Sequence, residues 1–233
     1  MNSAQAETQM ESMMTAPLIT GASVSAGLDG VSFGEQLAKK YHSQQKVRFE
    51  TYPGTKGESI IEYPTFSAHV QRASVVIALD FFYWDQLACD DPEWKSNTEN
   101  PFEKNIDKAI TALFQESAAK GIPLVIGNLS PAQGPFENIK YEADCAAIIN
   151  QKVKENCDQY PDKCLIIDVS DMAKFISDHF APRLKLIADQ ANKDKYAREY
   201  ITRDGIHPRT DAYGIIGKYL ERMMKDSLLQ STP

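Results

Sequence analysis

A chain of 233 residues with 42% hydrophobic and 24% charged side chains can bury a sizeable core within one α/β domain, which excludes disorder away from its ends. Its net charge of -7 and pI near 5.2 lack the basic footprint that nucleic acid and anionic membrane surfaces require. No apolar run approaches the ~20 residues of a transmembrane segment.

Residues 1–15 are polar, carry Glu7 and Glu11, and lack the basic start and apolar centre of a signal peptide. They read as a flexible N-terminal segment ahead of a single domain over 16–233. The compartment is then cytoplasmic or, for a mature form whose signal has been removed, periplasmic or secreted. Pro17 to Gly27, PLITGASVSAG, follows. Leu18, Ile19 and Thr20 end a buried first strand, and Gly21 turns the chain so that Ser23 sits in a strand-to-turn corner. Amides at the start of the next helix are unpaired there and face whatever binds.

Phe33, Leu37 and Tyr41 at four-residue spacing predict a helix over Ser32 to Gln44. Lys46 to Tyr52 alternates as a second strand, Pro53, Gly54 and Gly57 form a loop, and Glu58 to Ala73 is a helix interrupted near Pro64. Ser74 to Tyr83, SVVIALDFFY, is a continuous apolar run of the kind a central parallel strand needs. Trp84 to Lys104 has no period and reads as a substrate-side loop whose Asp90 and Asp91 are solvated. Next come a helix over Asn105 to Lys120, a strand over Ile122 to Asn128, a Pro/Gly-rich loop, a helix over Asn138 to Cys157 and a fifth strand over Lys163 to Val169. A polar helical stretch leads to the loop RDGIHP, and Tyr213 to Leu229 closes the chain as a helix. Alternating strand and helix predict a three-layer α/β/α sandwich with a five-stranded, mostly parallel sheet, flavodoxin-like in its layering.

Four cysteines, Cys89, Cys145, Cys157 and Cys164, allow three pairings; Cys157 and Cys164 bracket a short loop that suits either a disulfide or free thiols. No Cys/His cluster has zinc spacing, so neither a metal nor another cofactor is expected.

Ser23, Asp204 and His207 carry the chemistry. A serine becomes a nucleophile when a histidine takes its proton and an anion fixes the histidine tautomer. GASVSAG resembles the first block of the SGNH/GDSL hydrolases, with Gly21, Ser23, Val24, Ser25 and Gly27 matching and Ala22 where that family has Asp. DGIHP resembles its last block, in which Asp and His three residues apart complete the triad. The resemblance implies a serine hydrolase of carboxylic esters, acting on short acyl or O-acetyl carbohydrate esters or thioesters through an acyl-enzyme. It implies Ser23 as nucleophile, His207 as general base and Asp204 as its orienting partner. The oxyanion hole it implies is formed by the amides of Ser23 and Gly57. The family's oxyanion Asn is missing after the third strand: Asp80 stands near that position, and Asn128 at the end of the next strand is the candidate replacement. Asp80, Tyr83 and Trp84, at the strand's carboxyl end, are expected beside the substrate, where the aromatics offer an apolar acyl pocket.

Each residue has a commoner fate. A serine after a strand caps a helix, and Asp204 and His207 suit a turn. His42 and His179 read as solvated, and His69 as packed between helices. Two other readings compete. TGASVSAG also looks like the glycine-rich turn of NAD(P)-dependent short-chain dehydrogenases, with Glu50 near a ribose-binding position, although no Tyr-x-x-x-Lys pair occurs. A catalytically silent binding domain of the SGNH fold is the other.

Overall fold

The computed structural model describes residues 3–88, 101–129, 143–202 and 207–229. In chain order the elements are α1 (Ser3–Met13), β1 (Pro17–Gly21), α2 (Ser23–Ala26), α3 (Phe33–Lys40), β2 (Arg48–Thr51), α4 (Gly57–Ile61), α5 (Phe66–Gln71), β3 (Val75–Ala78) and α6 (Tyr83–Ala88). They continue with α7 (Pro101–Glu116), β4 (Leu124–Gly127), α8 (Ala143–Cys157), β5 (Cys164–Ile167), α9 (Val169–Lys185), α10 (Gln190–Tyr196) and α11 (Thr210–Ser227). A π-helical turn, Ala197–Ile201, follows α10.

Alternation along the strands assigns side chains to two sides of the sheet, because successive Cβ atoms point to opposite faces. Leu18, Val76, Leu124 and Ile126 enter one core with Ile60, Phe66, Ile110, Phe114 and Ile149 from α4, α5, α7 and α8. Ile19, Ile77, Val125 and Ile167 enter the other with Phe33, Leu37, Met172, Ile216 and Leu220 from α3, α9 and α11. The result is the expected α/β/α sandwich. Five strands pair in the order β2-β1-β3-β4-β5, and every pairing is parallel. The chain winds outward from β1 to β2 and then returns to β3 on the other side of β1. This reversal opens a crevice at the carboxyl ends of β1 and β3, where open α/β sheets bind ligands.

Several local expectations are corrected. Residues 3–13, expected to fray, form α1, because Met10 and Met14 are fully buried in the second core and Glu7 pairs with Lys225 of α11. The long strand expected over 74–83 is the four-residue β3. Beyond it Phe81 and Phe82 leave the sheet to pack in the first core, and Tyr83 and Trp84 open α6. The expected loop over 84–104 is helical at both described ends, while Asp90 and Asp91 lie outside the described residues. Cys157 and Cys164 form a disulfide with a Cα–Cα distance of 5.3 Å, tying the end of α8 to the start of β5. Cys145 is also disulfide-bonded; Cys89 lies outside the described residues. Among the described residues no helix is long and apolar enough to cross a membrane.

Candidate active site

Gly21 ends β1 at φ +147°, a backbone region that favours glycine, and a Cβ there would collide with Asp80 Oδ1 and Ser25 Oγ. The corner this leaves starts α2 at Ser23, which is 4% exposed. Asp80, just beyond β3, reaches under that corner. Its Oδ1 accepts the Ala22 N–H at 3.0 Å, and its Oδ2 accepts those of Val24 at 2.8 Å and Ser25 at 3.3 Å. Ser25 Oγ donates to the same carboxylate at 2.5 Å. Burial pushes the Asp80 carboxyl up from its usual range, against the pull of these four hydrogen bonds. A carboxylate at a helix start satisfies amides that would otherwise be orphaned.

The network distinguishes the two serines of the corner. Ser25 is fully buried with its hydroxyl spent on Asp80. Ser23 stands among the clamped amides, and neither its hydroxyl nor its N–H is held by Asp80. At the first position of α2, its N–H has no intrahelical acceptor.

The other predicted residues have separate fates. The Gly57 amide donates to Asp85 Oδ2 at 2.8 Å, and Phe81 and Phe82 rings occupy the space a Cβ at Gly57 would need. Burial pushes Asp85 up to about 6. Asn128 Oδ1 accepts the Val169 N–H at 2.9 Å and its Nδ2 donates to Asp168 Oδ2 at 3.2 Å, so its amide fastens β4 to the start of α9. Asp80 faces the α2 amides instead of offering a free carboxylate to a substrate. Tyr83 and Trp84 meet edge to face, with ring centroids 5.6 Å apart. Asp204 lies outside the described residues. His207 is half-buried, and the chain beside it is pinned by an antiparallel bridge between Thr202 and Pro208.

The segments that follow the two end blocks are tied to each other. Val31 N–H donates to Thr210 Oγ1 at 3.1 Å, and Gln36 Nε2 donates to Thr210 O at 2.9 Å. Val24, next to Ser23, and Pro208, next to His207, line one cavity of about 350 Å³. Asp80, Tyr83 and Asn128 line it too, while Met172, Ala173 and Ile176 of α9 and Ala212 and Ile216 of α11 make a largely apolar wall. A second, more open hollow of about 410 Å³ lies among Lys195, Arg198, Glu199 and Arg209. The first cavity is the candidate site, since it combines an apolar interior with polar groups at the switch point.

Gln86 and the α9 wall were missed at the sequence level. Gln86 is 1% exposed and lines the cavity three residues after Tyr83, on the same side of α6. A helical reading of YWDQLA carries that spacing; the strand reading of SVVIALDFFY concealed it. His69 also finds a partner that spacing did not show: its Nδ1 pairs with the buried Glu50, which also accepts from Tyr52 Oη at 2.5 Å. Glu50 is therefore engaged within the protein, which leaves the dehydrogenase reading without its ribose acceptor.

No protein-family model matches the chain, and no curated protein matches it in sequence. Solved structures do resemble it. An esterase from Pseudoalteromonas sp. aligns over 91% of this chain and 97% of its own, with TM-score 0.53 and 14% identity. A lipase from a goat rumen metagenome aligns over 89% and 96%, with TM-score 0.53 and 15% identity. A protein from Parabacteroides merdae described as a GDSL-like lipase aligns over 89% and 94%, with TM-score 0.55 and 14% identity. The chain has the SGNH/GDSL-hydrolase fold. The corner after β1 carries Ser23, and the described segment before α11 carries His207.

Proposed function

We propose that the protein is a serine hydrolase of carboxylic esters. Ser23 Oγ attacks the acyl carbon while His207 takes its proton, and collapse of the tetrahedral intermediate expels the alcohol, which His207 protonates. Water, deprotonated by His207, then attacks the acyl-enzyme and releases the acid, and Asp204 holds the imidazole in the required tautomer. The observation that carries this reading is a buried serine, flanked by clamped amides but itself not held by Asp80, whose neighbour Val24 lines one cavity with Pro208, the neighbour of His207. The apolar wall from α9 and α11 favours an apolar acyl group over acetyl. The Cys157–Cys164 disulfide favours a periplasmic or secreted setting over the cytoplasm.

One of the structural neighbours, the Pseudoalteromonas esterase, was solved inhibited by monoethylphosphonate. The corresponding test is a fluorophosphonate probe, with the adduct mapped by peptide mass spectrometry. A single adduct on Ser23, lost in His207→Ala, is the expected result; labelling elsewhere, or none, overturns the assignment. Ser23→Ala abolishes turnover of octanoyl and acetyl esters alike with an unchanged melting temperature. Octanoyl esters turn over faster than acetyl esters in the wild type. A second reading, the catalytically silent binding domain, is favoured by the Gly57 amide being spent on Asp85. Ser23-dependent turnover of any ester rules it out.

A further inference from the structure

The second hollow runs against the charge of the chain that forms it. The sequence carries 32 acidic and 25 basic side chains, yet of the four charged residues in this wall, Lys195, Arg198, Glu199 and Arg209, three are cations. The one carboxylate does not neutralise its neighbour. Lys120, Lys154 and Lys174 each pair with a carboxylate four residues away. Lys195 has Glu199 at the same spacing, but the helix widens into the π turn Ala197–Ile201 between them, and the i,i+4 register is lost. Glu199 instead hydrogen-bonds the Tyr200 phenol and pushes its pKa up. Among the described residues no carboxylate pairs with Lys195, Arg198 or Arg209.

Arg209 is also held in place. Its Nε donates to Arg198 O at 2.8 Å, and its backbone N–H donates to Ile201 O at 2.9 Å. The guanidinium is therefore anchored at one edge, and its Nη groups have no partner among the described residues. Cations gathered around one concavity repel each other, and an anion between them relieves that cost. A fixed guanidinium fork matches two oxygens of a phosphate, and a lysine adds a point charge. At about 410 Å³ the hollow is larger than the bare ion needs, and Glu199 in its wall can accept from a hydroxyl. We propose that this hollow binds the phosphate monoester of a small hydroxylated molecule, with Arg209 and Arg198 on the phosphate, Lys195 adding charge and Glu199 facing the organic part. The site is independent of the ester-hydrolase reading, although the two hollows share a wall: Ala197 and Pro208 line the apolar cavity, and Arg198 and Arg209, next to them in the chain, line this one.

The test is calorimetric titration of the full chain, at constant ionic strength, with glycerol phosphate, inorganic phosphate and glycerol. One glycerol phosphate binds per chain and binds more tightly than inorganic phosphate, while glycerol alone gives no binding heat. Arg209→Gln and Arg198→Gln each weaken it at least about tenfold, as loss of a charge-assisted hydrogen bond does. Lys174→Gln, which removes the same charge from the exposed face of α9, leaves the affinity unchanged. Arg198 serves the Arg209 contact through its carbonyl alone, so Arg198→Gln decides the matter even where Arg209→Gln lowers the melting temperature. Absence of saturable binding by either phosphate compound overturns the site. So does binding that Arg198→Gln leaves unchanged, or that Lys174→Gln weakens equally, since the latter reports net charge alone. Inorganic phosphate binding as tightly as glycerol phosphate overturns the monoester assignment.

Discussion

Asp80 and Asp85 sit five residues apart, both buried, and do different work with the same group. Asp80 spends its two oxygens on three amides and a hydroxyl of the corner at Ser23. Asp80→Asn has one acceptor oxygen in place of two, so at least one of those amides is stranded. We expect a loss of about 1–3 kcal/mol in denaturant unfolding, together with slower labelling of Ser23. Asp85 takes the Gly57 amide, and burial carries its pKa from 3.8 to about 6, against the Gly57 N–H and the Lys56 charge, with Glu58 adding to the rise. A carboxyl whose folded pKa is raised is held protonated by the folded state. Its contribution is therefore complete below pH 4 and is lost as pH climbs through 6. A shift of this size corresponds to roughly 3 kcal/mol. Buried Asp80 is shifted in the same direction. The melting temperature of the wild type should fall between pH 4 and pH 6.5, and Asp85→Asn should flatten that slope. An identical slope in the variant would show that Asp85 does not titrate there.

The terminal elements are held by packing as well as by chain connection. α1 has little local reason to be helical, yet Met10 and Met14 fill the second core beside Met224 of α11. Met10→Ala should cost about 2–5 kcal/mol, the range for emptying a buried methionine site, as read from the denaturant midpoint. Loss below 1 kcal/mol would mean that α1 is dispensable. At the other side of the sheet, the disulfide closes the short turn between α8 and β5. Replacing Cys157 and Cys164 together by serine should lower stability by about 2 kcal/mol, since a short loop confines the unfolded chain less than a long one. Helix starts are better written locally: Ser32 and Glu35 form a reciprocal capping box at α3, and Asp168 caps α9 through the Ser170 and Asp171 amides.

At the scale of the molecule, function depends on segments far apart in sequence meeting at one edge of the sheet. Gln36 Nε2 bridges Val31 O and Thr210 O, both at 2.9 Å, and so links the segment after the Ser23 corner to the start of α11. Gln36→Ala should cost only about 1 kcal/mol of stability. It should slow ester turnover more than that loss implies, because the two blocks lose their tie; unchanged kcat would show that the remaining Val31–Thr210 bond suffices. The layered fold was legible because the continuous apolar runs through Leu18–Ile19 and Val76–Ile77 and the helical spacing of Phe33, Leu37 and Tyr41 record burial locally. The corner at Ser23 was legible for a related reason: Gly21 breaks a buried strand, and small hydroxyl residues follow it. Which donors stay free was not legible. Gly57 and Asn128 both carry N–H groups near the strand ends, and their sequence does not say that Asp85 takes the first and Asp168 one of the second's two. By itself, then, the sequence determined the strand and helix order and the small motifs at either end, since both follow from short-range periodicity and turn chemistry. The tertiary structure alone decided that α1 is core, that Asp80 is a clamp, and that Gln86 lines a cavity. Hydrogen-bond commitment and enclosure depend on which distant residues arrive, and no local pattern carries that information.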